Sequence, residues 1–460
     1  MSRLLRCLPA MWLLVAPAPA AAEAFGWRGD GTGSFSKAVP PLVWSETDNV
    51  IWKTRLPGWS NAAPVVSGDH IFVTAEPDQL VCLKTNGDIL WTRSLNYPDV
   101  LSPEEGEALR RKLADLEPVI RRAENLRGKI LRLRQRMKKD STGSKQLNTL
   151  LKDAQTELEE TEKSLEEVRD FLPPPVPAAD GYTSATPVTD GERVYVVFGT
   201  GIAAAYDLDG NLIWKRLLER PRGDTGYRAS PAMAGGKLVV GINRNLRGLD
   251  PATGESLWRA RVPEAPGSVV TVTGEGKTAV ATPSGYLIDV LTGTRYTDRL
   301  GTLPLNAPLF SGGALFYVAE KGAVYLPPSE WSEQSFKDLK PGWEAELPAG
   351  EYVASPLRVG NLVYAVTTTG RLSVINNQGR VTDSQQLDLQ AGTAIVASPI
   401  YAGGMIFLTS DEGLTRVVKP GERYDQVGTN RLEPTRAAPV AVRNRLYFRG
   451  QRYLFCLGVK

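Results

Sequence analysis

Apolar residues in this chain come in short runs punctuated by glycine, and the runs repeat as one phrase. A proline opens the phrase, a short apolar run follows, then a glycine turn and a second apolar run, as in Ala63 through Val73 and again in Thr186 through Val196. The phrase returns at Pro231, Pro308, Pro356, Pro399 and Pro439, and a worn copy without the proline runs from Val269 through Gly274 to Val280. Pro187 and Pro231 are 44 residues apart, and Pro356, Pro399 and Pro439 follow one another at 43 and 40. The better copies continue into a third run, such as Leu80 to Leu83 or Ala203 to Tyr206. A glycine turn then leads to tryptophan: Asn86-Gly87 to Trp91, Asp209-Gly210 to Trp214, Thr253-Gly254 to Trp258. Asn-Gly and Asp-Gly between apolar runs mark hairpins, because both residues tolerate positive φ. Four short strands in every ~40 residues, eight times over, predict an all-β chain folded as an eight-bladed β-propeller.

The two ends predict how the ring closes. Asn49 to Thr54 matches a fourth strand with no first three before it, and Tyr453 to Leu457 matches a third strand after which the sequence stops. The early strand is therefore expected to complete the last blade, leaving no free edge between last and first.

One stretch breaks the β pattern. Leu147, Leu151, Ala154, Leu158, Thr161, Leu165, Val168 and Leu172 recur at alternating four- and three-residue steps, a heptad seam. The preceding half (Leu109, Leu113, Leu116, Ile120, Ala123, then Leu126, Ile130, Leu133, Met137) slips phase by one step near Ala123, and Pro118 should bend the helix there. Asp140 to Ser144 supplies a turn, and Pro173-Pro174-Pro175 a stop. The expectation is an antiparallel coiled-coil hairpin inserted between the first two blades and projecting about 40–55 Å at roughly 1.5 Å per residue. The domain plan becomes a signal peptide over 1–22, the closing strand and blade 1 over 23–101, the hairpin over 102–172, and blades 2–8 over 173–460.

The Asp/Asn-Gly-x-x-x-Trp phrases resemble the repeat of pyrroloquinoline-quinone-type (PQQ-like) β-propellers. More specific is the opening run, Trp27-Arg28-Gly29, Gly31-Thr32-Gly33 and then Trp44 through Gly58, which is similar to the start of secreted bacterial members of that family. The resemblance covers the chain after residue 22 except about 101–175. It implies an eight-bladed ring, in agreement with the repeat count, and no particular reaction. Quinone-dependent dehydrogenases of this fold use an adjacent cysteine pair at the cofactor; this sequence has neither such a pair nor a Cys-x-x-Cys-His haem motif.

Arg3 and Arg6, an apolar stretch around Met11 to Val15 and the small-residue end Ala18 to Ala22 read as a secretory signal peptide cleaved before Glu23. The stretch is short for a membrane anchor, and Cys7 is not preceded by the small residues of a lipid-attachment box. An exported protein of the periplasm or exterior is expected, without a transmembrane segment in the mature chain and not a lipoprotein. The two remaining cysteines, Cys82 and Cys456, occupy the same third-strand place in neighbouring blades. An oxidising compartment permits a disulfide there, but such positions are normally too far apart to bond, so two buried thiols are expected.

The net charge of +3 conceals a sorted distribution. Residues 127–153, the expected hairpin tip, hold nine Lys and Arg, among them Arg127, Lys129, Arg132, Arg134, Arg136, Lys138 and Lys139, against two Asp. The base, 104–126 and 154–172, holds seven basic and thirteen acidic residues. A basic tip suits an anionic surface: acidic lipid headgroups, an envelope polymer or an acidic protein face. The same charges also suit a solvated helical pair kept soluble and in register. Export argues against nucleic acid.

Catalytic material is scarce. The single histidine, His70, takes a turn position filled by Arg193 or Lys237 in other copies, which leaves little for His-based metal sites or nucleophilic triads. Asp207, Asp209, Gly210 and Asn211 faintly suggest a calcium loop, but the downstream bidentate acid is missing and the run coincides with a blade hairpin. No metal is expected and no cofactor, PQQ included. An aromatic residue does recur four or five positions before the repeat proline: Trp59, Tyr182, Tyr227 and Tyr352, with Arg228 and Arg436 in the same segments. In a ring these converge around the axis, where an aromatic and basic rim would hold a peptide or sugar; the alternative is that the rings plug gaps between blades. Trp91, Trp214 and Trp258 are expected to pack blade on blade.

The resulting expectation is a non-catalytic exported scaffold or adaptor that binds a protein or envelope component through its axial face and basic-tipped arm. The resemblance adds a role like that of the family's lipoprotein in outer-membrane protein assembly. A PQQ-dependent dehydrogenase-type enzyme and a structural dimer built through the coiled coil are the alternatives.

Overall fold

The structure, a computed structural model, describes residues 25–459 apart from 140–143, 173–180, 182, 223–228, 265–266, 275, 298–299, 304 and 326–338. The expected signal peptide lies outside the described residues.

Eight sheets form the ring, spanning 65–94, 188–217, 232–261, 270–289, 309–346, 357–386, 400–431 and 440–457, numbered here as blades 1 to 8. In seven of them neighbouring strands pair in chain order as an antiparallel meander. The last is completed by the early strand: Val50–Arg55 pairs antiparallel with Tyr453–Leu457, placing Trp52 opposite Cys456. Blade 4, the worn copy, has three strands, its outer edge marked by a single bridge between Ile288 and Arg295.

Burial explains the strand pattern. Second and third strands are covered by blades on both sides, so Val194 to Val197 and Ala203 to Ala205 are buried without alternation. Fourth strands lie at the rim, where only one side chain turns inward: Trp91 in Ile89–Ser94 and Trp258 in Ser256–Arg261. Each such indole docks on the next blade. The Trp52 Nε1 donates to the Thr85 carbonyl at 2.9 Å, Trp91 to Leu208 at 2.9 Å, Trp214 to Pro251 at 2.8 Å and Trp258 to Val290 at 2.7 Å. The ring then lies on the glycine of that blade's outer turn. At Gly210 (φ 82°) a Cβ would stand 2.7 Å from Trp91, and at Gly254 (φ 72°) 2.5 Å from Trp214. Glycine is required there twice over, for the left-handed backbone and for the approach of the indole.

A second set of inter-blade bonds encircles the axis. The residue before the repeat proline offers a hydroxyl to the backbone N–H at the same place in the preceding blade. Ala63 donates to Thr186 at 3.1 Å, Thr186 to Ser230, Ser230 to Ser268, Ala307 to Ser355 and Ser355 to Ser398, each at 3.0 Å. The belt is interrupted where the next blade presents Ala307, Ala438 or Ala63 instead.

Between blades 1 and 2 the chain leaves the ring as helices α1 (Pro103–Asp115), α2 (Glu117–Lys139) and α3 (Ser144–Lys163). Ser102 caps α1 by accepting the Glu105 N–H, while the Glu105 carboxylate takes the Ser102 N–H. The bend falls at Leu116, so that Pro118 sits in the first turn of α2, where its missing N–H costs nothing. The helices run antiparallel: Leu109 shares the core at the base with Leu165 and Val168, while Ile130 and Leu133 meet Leu147 and Leu151 farther out, and Lys112–Glu167 and Arg122–Glu157 ion pairs bridge the two sides. The base is rooted in the ring. Leu109, Ala123, Leu165 and Val168 share a core with Phe72, Tyr97 and Phe198, and the Tyr97 hydroxyl donates to the Thr200 carbonyl at 3.1 Å. Farther out, Ile130, Leu133 and Ala154 close a separate small core with Leu147, Leu151 and Leu158. No helix among the described residues is long and apolar enough to cross a membrane.

Cys82 and Cys456 are both free and buried. Desolvation pushes the Cys82 thiol up to about 12 and the Cys456 thiol to about 11.

Two expectations follow from the packing. Ser230→Ala strips the buried Thr186 N–H of its acceptor and should cost ~1–3 kcal/mol in urea unfolding, whereas Ser230→Thr, which keeps the hydroxyl, should cost far less. The thiols titrate near 9.0 once unfolded, so the unfolded chain releases protons first as pH rises; their contribution to stability is complete below pH 9 and fades between 9.0 and about 12. The unfolding midpoint should fall across that window, less so in Cys82→Val/Cys456→Val. A thiol reagent should react with the native protein only after denaturant is added.

Candidate functional site

The two faces of the ring differ. On one, outer strands hand over to the next blade's inner strand, and the turns between second and third strands lie beside these connections; the arm departs from this connection face. The other carries the remaining hairpin turns and is crossed by residues 25–49. The Phe25 carbonyl accepts the Thr189 N–H of blade 2 at 2.8 Å, and Ser34–Phe35 adds a parallel strand to blade 7 beside Tyr401 and Ala402. Arg28, 1% exposed, donates to the carbonyls of Pro356 at 2.9 Å and Pro399 at 3.0 Å, tying the crossing segment to blades 6 and 7. Desolvation lowers its guanidinium to about 9. Trp44 stacks on Phe407, and its backbone N–H donates to the Asn430 Oδ1 at 2.8 Å.

Behind this cap the axial space is small, about 130 Å³, lined by Trp27, Asn306, Arg436 and the hydroxyls of the belt. A recess of about 400 Å³ lies between the cap and blades 2 to 4, walled by Phe25, Trp27, Val188, Met233 and Val270, with no Lys or Arg among its described lining.

A larger opening, about 770 Å³, is a cleft on the connection face where blades 7, 8 and 1 meet. Trp59 and Arg436 both line it, so the ring brings these two sequence candidates together. Arg55 and Arg452 add positive charge on the side of blades 8 and 1, and Asp411 and Glu412 of blade 7 face them with negative charge. The cleft is held by buried charge beneath. Glu433, 7% exposed, accepts the N–H groups of Arg452 and Tyr453, each at 3.1 Å, and the Arg452 Nε at 2.9 Å. Arg449, 1% exposed, donates to the Gly58 carbonyl at 2.9 Å and to Thr74 at 3.3 Å. Desolvation lowers its guanidinium to about 10, against the pull of Glu433 and Glu76. Trp59 itself lies across Gly181 (φ 68°), where a Cβ would meet the indole at 2.7 Å.

The other rim candidates divide. Tyr352 is 2% exposed, packed with Leu347 and Val363 between blades, its hydroxyl donating to the Pro348 carbonyl at 2.9 Å. It plugs a gap between blades. Tyr182, Tyr227 and Arg228 lie outside the described residues. His70 is half-buried at the start of a strand, its ring stacked near Phe72. The Asp207 carboxylate, expected to belong to a hairpin, takes the Asn211 backbone and side-chain N–H groups at 2.8 Å each, and these bonds hold it below the usual carboxylate range.

On the arm, Arg127 is drawn into an ion pair with Glu162 at 2.7 Å. Lys129, Arg132, Arg134 and Arg136 are exposed; Lys138 and Lys139 close α2, with side chains outside the described set. Sequence reasoning missed Arg28, Arg449 and Glu433, whose burial no local pattern announces. It missed the belt too, although Thr or Ser directly before Pro187, Pro231, Pro356 and Pro399 was a readable signal.

Removing Glu433 should test the cleft wall. Glu433→Ala leaves two backbone N–H groups and Arg452 without their acceptor and should destabilise by ~1–3 kcal/mol, read as a lower urea midpoint.

The family model described as outer membrane protein assembly factor BamB matches residues 37–115, 177–327 and 243–448. Among solved structures, BamB from Moraxella catarrhalis aligns with a TM-score of 0.56 at 12% identity, covering 89% of this chain and 99% of that one. The quinohemoprotein alcohol dehydrogenase from Comamonas testosteroni aligns at 0.45 and 10% identity, over 94% of this chain and 80% of the other. No curated protein sequence matches this chain.

Proposed function

The chain belongs to the PQQ-like repeat propeller family whose model is described as outer membrane protein assembly factor BamB, and from that premise we propose that it is a non-catalytic adaptor of the bacterial cell envelope. Its working surface is the connection face, and the observation that carries the reading is the cleft where Trp59 and Arg436 meet. Trp and Arg are enriched among the residues that dominate the energetics of protein interfaces. Here they lie in an open cleft with cations toward one side and carboxylates toward the other, which suits an extended polypeptide of mixed charge better than a small neutral ligand. The arm leaves the same face, so one partner or two could be held on one side of the ring.

The axis supports the same reading. A space of about 130 Å³ is below the ~300 Å³ at which small-molecule pockets begin, and the belt hydroxyls that line it already accept backbone N–H groups. A quinone bearing several carboxylates would meet one described cation there, Arg436, and none in the neighbouring recess. The described residues do not fit PQQ, and no redox step is drawn through it.

The adaptor reading is tested by affinity capture from an envelope extract with the wild-type chain and with Trp59→Ala/Arg436→Ala. Capture should fall at least tenfold in the variant while the melting temperature stays within a few degrees. Undiminished capture would sink the role given to the cleft.

A further inference from the structure

Charge pairing on the arm stops abruptly along its length. Near the ring the cations are matched, Lys163 excepted: Arg110 with Asp99 at 2.7 Å, Lys112 with Glu167, Arg121 with Glu117, Arg122 with Glu157 at 2.8 Å and Arg127 with Glu162 at 2.7 Å. Beyond Arg127 the matching ends. Lys129, Arg132, Arg134 and Arg136 on α2 and Lys145 and Lys152 on α3 are exposed, and none forms an ion pair among the described residues. Ala123 is the last residue of α2 in the core shared with the ring, so the helix runs on about 24 Å beyond it at ~1.5 Å per residue. The unmatched charge therefore sits at the far end of a rod whose base is anchored.

Two further observations define what such an end can meet. The cations are not confined to one face: Lys129, Arg132 and Arg136 follow at three- and four-residue steps and share a stripe, while Arg134, two residues from its neighbours, lies off that stripe. Leucines are exposed among them, Leu131 (38%) on α2 and Leu150 (43%) on α3. A protein partner docks on one face of a helix; a layer of headgroups receives charge from every side of a tip that dips into it. Apolar side chains ringed by long basic ones are the composition of such contacts, leucines reaching toward the acyl boundary and cations toward phosphates.

We propose that the arm tip is a membrane-surface anchor, binding the phosphate headgroups of anionic phospholipids through Lys129, Arg132, Arg134 and Arg136 and lodging Leu131 and Leu150 at the headgroup boundary. This rests on the adaptor reading only in treating the arm as a contact element. The ring then stands off the bilayer with its cleft on the face from which the arm departs.

Flotation of the full chain with vesicles of phosphatidylethanolamine and phosphatidylglycerol tests it, with phosphatidylcholine vesicles and soluble polyglutamate as comparisons. Binding should require the anionic lipid, weaken as salt rises, and drop about fivefold for each cation removed, so that Lys129→Gln/Arg132→Gln/Arg134→Gln/Arg136→Gln loses at least about a hundredfold. Leu131→Ser/Leu150→Ser should weaken vesicle binding several-fold and leave polyglutamate binding unchanged. Helicity by circular dichroism confirms that both variants keep the arm. Absent binding to the anionic vesicles, binding retained by the four-Gln variant, or vesicle binding indifferent to the leucine changes would each overturn the proposal, the last by assigning the tip to an acidic protein face. Trp59→Ala/Arg436→Ala should bind vesicles normally, which separates failure of the anchor from failure of the cleft.

Discussion

Every blade in this ring is stabilised by the one beside it, and that is the constraint from which the rest follows. The second and third strands are apolar on both sides, so a blade left without a neighbour would expose a face such as Val194 to Val197. Closure removes the problem, and the register of Val50–Arg55 on Tyr453–Leu457 accomplishes it. Two sets of bonds then fix blade against blade at different radii: indole on glycine toward the rim, and hydroxyl on backbone N–H at the axis. Both satisfy groups that would otherwise be buried without a partner, which makes each bond worth ~1 kcal/mol net and costlier than that to break on one side.

The inner belt also shapes what the protein can do. Hydroxyls facing the axis already accept backbone N–H groups, and Trp27 with the Arg28 anchor covers the opposite face. In the adaptor reading proposed above, recognition is displaced outward to the connection face, where loops from three blades leave a cleft. Buried Glu433 and Arg449 hold those loops, spending charge on position instead of on a ligand. The arm carries the opposite arrangement, with matched charge where it must stand firmly and unmatched charge where it is free.

What the sequence made legible was what is local. Prolines, turn glycines and rim tryptophans lie within a few residues of the strands they define, so the blade count, the closing strand and the role of Trp91, Trp214 and Trp258 could all be read directly. The helical arm was legible for the same reason, its period of alternating threes and fours set against a background of short apolar runs. The cleft was not, because Arg55, Asp411 and Arg452 come together only through the ring. Trp59 and Tyr352 hold similar places before the repeat proline, yet one lines the cleft and the other fills a gap between blades. Spacing fixes how far a side chain lies from a strand and leaves open which way it turns. Arg28 and Arg449 were invisible for a related reason: a buried arginine looks like any other until the carbonyls of distant blades are seen around it.

The closing strand has a consequence for the order of events in biosynthesis. Its partner is among the last residues to be made, so Val50–Arg55 spends the whole of synthesis as an unpaired edge next to sequence that is already folding. Blades 1 to 7 can collapse in turn as they emerge, but the final sheet cannot exist until the chain is finished. A truncated product therefore lacks more than its missing blade: it keeps an open ring with an adhesive edge at one end and an uncovered apolar face at the other. The topology makes completeness of the chain a condition for closing the ring.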